Sequence, residues 1–145
     1  MTLINRATYR FVEQELRNYP YLKQEMNEIR LDVIEAGPAK DELGVGIQTN
    51  RVSDPTASKG VQLAEHYRLR RIIETVQAID RALEQMGPEC RRLVQLTYLQ
   101  SDLTPQGIAL KMNMSYDTYR KWKSRTVHFV AYHLGVASQI VSLLR

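Results

Sequence analysis

Apolar side chains recur along most of the chain at three- and four-residue steps, the period of a helix rather than a strand. Tyr9, Val12, Leu16 and Tyr19 form one stripe that stops before Pro20, and Leu22, Met26, Ile29 and Val33 form a second that stops at Gly37-Pro38. A proline removes a backbone donor and crowds the preceding turn. The two stripes therefore predict a short antiparallel helical hairpin over residues 1–36, joined at Asn18 to Pro20. From Gly37 to Ser58 the periodicity lapses into GPAKDELGVGIQTNRVSDPTAS, a linker or long mobile loop. A long helix is then expected from about Ser58 to Met86. Val61, Ala64, Leu69, Ile72, Val76, Ile79, Leu83 and Met86 lie on one side of it, and at about 1.5 Å per residue it would be roughly 40 Å long. Gly87-Pro88 ends it and opens PECRRLVQLTYLQ, which should bury Leu93, Leu96, Tyr98 and Leu99. The fold class is all-α.

The richest pattern lies in TPQGIALKMNMSYDTYRKWKSR, Thr104 to Arg125. With Ala109 at a tight helix-helix contact, Ile108, Met112, Met114, Tyr119 and Trp122 fall where a helix-turn-helix must be apolar. Thr104 is placed to cap the first helix, with Pro105 at the first helical position, where its missing N–H costs nothing. Asn113 tolerates the left-handed backbone of a sharp turn, and Ser115 can accept from the opening amides of the second helix. In that helix Tyr119, Trp122, Thr126, Phe129 and Val130 share one face, while Asp117, Arg120, Lys121 and Ser124 share the other. The domain with this motif is expected to span residues 59–145, from the long helix to a short apolar C-terminal helix.

Charge sharpens this picture. Residues 1–60 hold 8 basic and 9 acidic side chains, and residues 61–145 hold 12 and 7, so attraction for polyanions belongs to the later part. Lys111, Arg120, Lys121, Lys123 and Arg125 oppose the single acid Asp117 across the motif. A recognition helix enters the major groove with its early outward residues against base edges. Tyr116, Asp117, Arg120 and Lys121 are the expected base contacts, since arginine bonds bidentately to guanine and aspartate accepts from the cytosine amino group. Lys111, Ser115, Lys123, Ser124 and Arg125, with Arg91 and Arg92 upstream, are the expected phosphate contacts, fixing register rather than reading sequence. Arg68, Arg70 and Arg71 on the long helix read as ordinary surface charge ahead of a DNA contact.

Hydrophobic content of 43% and charged content of 25% describe an ordinary globular chain. Cys90 is the only cysteine, so no internal disulfide or multi-cysteine zinc site can form, and a reducing cytoplasm is expected. MTLINRATYRFVEQEL lacks the apolar core of a signal peptide. Thr126 to Leu144 carries no charge, but His128, His133, Gly135, Ser138, Gln139 and Ser142 disfavour membrane insertion. Instead the helix should break at Gly135 and be followed by a short apolar helix of Val136, Ile140, Val141 and Leu144, which covers the core or mates with a second subunit. His128 and His133 are expected at a packing boundary.

The run from Ser58 to Arg125, with the early EQELRNYP, the glycine- and proline-rich gap and the terminal helix-turn-helix, resembles the RinA and ArpU group of phage late-gene transcriptional regulators. Their carboxyl half is similar to region four of bacterial sigma factors. The resemblance implies a phage or prophage activator in the bacterial cytoplasm that binds double-stranded DNA and communicates with host RNA polymerase; a dimer or other homo-oligomer is the natural expectation for helix-turn-helix motifs in general. The resemblance also places Ser115, Tyr116, Asp117, Arg120 and Lys121 on the DNA side. The alternative is a terminase small subunit, which pairs a helix-turn-helix with a ring of subunits to mark viral DNA for packaging. An enzyme is the least supported class. His66, His128 and His133 lack metal-pair spacing and no glycine-rich phosphate loop occurs, so no catalytic residue, metal or cofactor is expected. Asp80 and Glu84, one turn apart, read as solvated surface, and Cys90 near a helix start as a mildly acidic thiol without a partner base.

Overall fold

The computed structural model describes residues 4–47, 55–100 and 102–137, with the side chains of 30, 32–47 and 55–63 outside that description. Every element among the described residues is helical: α1 (Arg6–Ile47), α2 (Pro55–Gln85), α3 (Pro88–Val94), a π-helical turn (Gln95–Leu99), α4 (Pro105–Lys111) and α5 (Tyr116–His133). The chain divides into two compact units, one of Met1–Pro20 with Thr75–Arg145 and the other of Tyr21–Glu74.

The expected hairpin is corrected: α1 is helical from Arg6 to Ile47, through Asn18–Pro20 and through Gly37-Pro38. An interior proline deletes one bond and kinks a helix, and it ends the helix only if the flanking residues have somewhere else to go. Here Val12, Leu16, Tyr19, Leu22, Met26 and Ile29 step by 4, 3, 3, 4 and 3 residues, so the two stripes are in phase across Pro20 and form one. The expected loop over 37–58 is corrected in the same way. Its first part belongs to α1 and its last part to α2, while residues 48–54 lie outside the described residues. Pro55 is the first residue of α2, three before the expected start, in the position where proline costs a helix nothing.

In the larger unit α5 is the central helix. Thr126, Val127, His128, Phe129, Val130 and Ala131 are six successive buried residues, so this half of α5 is covered on all sides. Val12 and Leu16 of α1, Val76, Ile79 and Ala82 of α2 and Cys90, Leu93 and Val94 of α3 complete the core. The π turn carries Leu96 and Tyr98, both buried. Its wider ring, closed by the Gln100 amide on the Gln95 carbonyl at 2.8 Å, shifts the register that a 3.6-residue helix would impose. α5 ends as expected at Gly135, with φ of +80°. The Val136 amide donates to Ala131 and the Gly135 amide to Tyr132, each at 3.0 Å, which satisfies the last carbonyls in a Schellman pattern. Of the helix expected beyond it, Val136 is exposed at a bend, and Ile140, Val141 and Leu144 lie outside the described residues.

Long-range polar bonds hold the start of α1 in this unit. The Tyr98 hydroxyl donates to Glu13 Oε2 at 2.7 Å, the Arg17 guanidinium lies 5.4 Å from the centre of the Tyr98 ring, and the Tyr19 hydroxyl donates to Asp80. Asp80 is therefore a structural acceptor and not half of a solvated carboxylate pair. Burial, then the Glu13 carboxylate, hold the Tyr98 phenol protonated far above its ordinary range. Burial, then Glu13 and Tyr119, push Tyr9 up to about 12. In the smaller unit Arg68 of α2 pairs with Glu25 of α1 beside a groove of about 530 Å³ with Ile29, Leu69 and Ile72 in its lining. Arg70 pairs with Glu74 along α2 at 3.3 Å.

Two outcomes test this arrangement. Pro20→Ala restores an N–H to an interior helical position and should raise the unfolding free energy, by at most about 3 kcal/mol; a turn at Pro20 would make the substitution neutral or damaging in urea denaturation. The raised phenol pKa values of Tyr9 and Tyr98 confer stability that is complete below the unfolded pKa near 10 and is lost as pH rises through about 12. The melting temperature should fall across that window, and less steeply in Tyr98→Phe.

Candidate nucleic-acid interface

Local chemistry builds the α4–α5 pair. The Thr104 side chain accepts from the Gly107 amide at 3.1 Å, with Pro105 opening α4. Asn113 has φ of 55°, the left-handed conformation that closes α4. It lets the Met114 amide reach Ala109 at 3.0 Å and the Asn113 amide reach Leu110 at 3.1 Å. Ser115 then accepts from the Thr118 amide at 3.1 Å and starts α5. Each of these groups satisfies a backbone atom that a helix end leaves open.

Packing fixes which way α5 faces. Tyr119, 2% exposed, joins Leu93, Leu96, Ile108 and Ala109 in one apolar cluster, and Met112, Met114 and Trp122 pack against it. The Tyr119 hydroxyl meets Thr97 Oγ1 at 3.0 Å. With Tyr119 turned inward, the 100° step of a helix turns Asp117, Arg120 and Lys121 outward, and all three are exposed. The Arg120 guanidinium sits 5.8 Å from the centre of the exposed Tyr116 ring, which itself stacks on Tyr119. That contact holds the guanidinium near the start of α5 without occupying its five N–H donors.

Asp117, Arg120, Lys121, Lys123 and Ser124 line one shallow cleft of about 590 Å³, together with Tyr9 from α1. Its lining holds three cations, one of them ion-paired with Glu13, against one carboxylate. Lys111, Ser115, Tyr116, Arg91, Arg92 and Arg125 are not among its lining residues. Lys111, Arg91 and Arg92 are exposed, Arg125 is half-buried, and the Ser115 hydroxyl is engaged with Thr118 as a cap. Ser124 is half-buried, and its carbonyl accepts from His128 Nδ1 at 2.7 Å. Lys123 is half-buried too, with its ammonium 3.3 Å from Glu13 Oε2. Tyr9 and Glu13 were missed from the sequence, where Tyr9 is an ordinary member of the first apolar stripe and Glu13 one of several acids on the surface of the same helix. Their place beside α5 is set by packing across more than 100 residues.

Two expectations about titratable groups are corrected. His128 is 6% exposed rather than at a boundary, held edge-on to Tyr9; His133 is half-buried against Phe129, with its pKa lowered by burial and then by Arg81. Burial pushes the Cys90 thiol up, so it is not acidic. Among the described residues no group of His, Cys, Asp and Glu is arranged to hold a metal ion, and no helix is long and apolar enough to cross a membrane.

Comparison with curated proteins and with solved structures finds no match. A family model described as protein of unknown function, DUF722, matches residues 13–131, a span that holds every candidate contact on α3, α4 and α5 as well as Glu13. That span is most of the 145 residues, and the chain belongs to the DUF722 family.

Proposed function

We propose that this protein binds double-stranded DNA in a sequence-specific way through the first half of α5 and regulates transcription. One observation carries the reading: Asp117, Arg120 and Lys121 stand open on α5 while Tyr119 and Trp122, between and beside them, pack against the α3–α4 cluster. A helix so held presents a guanidinium, a carboxylate and an ammonium to a groove, the groups that distinguish guanine and cytosine edges there. Tyr116 adds an aromatic edge to the same end. Lys111, Arg91, Arg92 and Arg125, with Ser115, Ser124 and Lys123, supply phosphate contacts around it. Binding of this kind is driven by counterion release, each phosphate contact adding about 0.9 to the slope of log affinity against log salt. The reading assigns the protein no reaction. The resemblance to phage late-gene regulators supports activation with host RNA polymerase in a bacterial cytoplasm as the setting, with two-fold assembly on DNA.

Arg120→Ala should cost about 1–3 kcal/mol on the preferred duplex and relax the choice of base at one position, whereas Lys111→Ala should weaken matched and scrambled duplexes alike. Anisotropy titrations of both variants on both duplexes check this, and equal loss on the two duplexes for Arg120→Ala would refute the base contact. Native mass of the DNA-free protein separates regulation from packaging: a monomer or dimer fits the regulator, and a closed ring of many copies fits a terminase small subunit.

A further inference from the structure

Glu13 is ion-paired with a cation of the cleft. Its side chain is 13% exposed, and Oε2 lies 3.3 Å from the Lys123 ammonium, whose side chain is 28% exposed. The same carboxylate accepts from Tyr98 at 2.7 Å and lies 3.9 Å from the Arg17 guanidinium one turn along α1. If the lysine leaves, Glu13 still has a phenol and a guanidinium, so breaking the pair does not strand a buried charge. The lysine, for its part, carries three donors on a flexible four-carbon stem and lines the cleft beside Arg120 and Lys121. It has a carboxylate on one side and, when DNA lies in the cleft, a phosphodiester on the other.

We propose that Glu13 is a built-in competitor for the DNA backbone: it holds Lys123 in the free protein and so sets how much phosphate affinity the cleft contributes. The inference rests on the DNA-binding reading and adds to it a residue of α1, remote in sequence from the two helices that face DNA. It differs in sign from a purely structural role. A carboxylate that merely pins α1 would, when removed, loosen the cleft and weaken binding. A competitor, when removed, releases a cation and strengthens it. Glu13→Gln suits the test because the amide oxygen still accepts from Tyr98 while the charge that holds Lys123 is gone.

The experiment is a salt series of anisotropy titrations with the full chain and a labelled mixed-sequence duplex, comparing wild type, Glu13→Gln, Lys123→Met and the double variant, each checked by thermal melting. Glu13→Gln should bind about two- to fivefold tighter, the equivalent of a partly exposed ion pair. Its slope against log salt should steepen by up to about 0.9. The double variant should behave like Lys123→Met alone. Unchanged or weaker binding by folded Glu13→Gln, while wild type still binds with a salt-dependent affinity, overturns the competitor and leaves the DNA reading standing. Failure of wild type to bind any duplex overturns both. Should Glu13→Gln not fold, Glu13→Asp withdraws the carboxylate by one methylene: tighter binding supports the competitor, and equal or weaker binding overturns it.

Discussion

The inward burial of Tyr119 is the constraint from which the rest of the site follows. Its ring completes the cluster of Leu93, Leu96, Ile108 and Ala109, and its hydroxyl is satisfied by Thr97 on the π turn. Because each helical residue turns by about 100°, fixing one side chain fixes the direction of every neighbour. Asp117, Arg120 and Lys121 are outward because Tyr119 is inward. An unsatisfied phenol at that depth would be costly, so Thr97 complements the apolar wall.

α5 is two helices in one as far as solvent is concerned. From Thr126 to Ala131 it is buried all round and serves as an anchor, and before that it keeps one charged face open. A binding face built on a helix with a deeply packed second half is held to narrow geometry, as recognition of base edges requires. α1 contributes at the junction: Glu13 ties the π turn to Lys123 through a single carboxylate oxygen, and Tyr9 forms a wall of the cleft. The face proposed to meet DNA is therefore bounded by α1 as well as by α5.

The α4–α5 pair was legible because its signals are local. Thr104, Asn113 and Ser115 each act on backbone groups within five residues, and the apolar set that includes Ile108, Tyr119 and Trp122 needs only helical spacing to be recognised. The burial of Leu96 and Tyr98 was legible from their apolar character, but the π turn that carries them was not, because widening a helix by one residue leaves no mark in the local spacing. The start of the chain was misjudged because a proline, a local signal, was weighed above the phase of the stripe, which runs unbroken from Val12 to Ile29. His128 was misplaced for the opposite reason. It is polar, yet its Nδ1 finds the Ser124 carbonyl one turn back, which lets the ring enter the core. Tyr9, Glu13 and Asp80 acquire their roles only through tertiary contact, and nothing in their neighbours announces it.

The central claim is that the outward face of early α5 is where DNA is held. Amide chemical-shift mapping of the full chain, titrated with a duplex obtained by random-site selection, tests it most directly. The account predicts that the largest changes fall between Ser115 and Arg125, with smaller ones at Lys111 and Tyr9. Changes centred instead on the unit of Tyr21–Glu74, or the absence of any selected duplex, would contradict it.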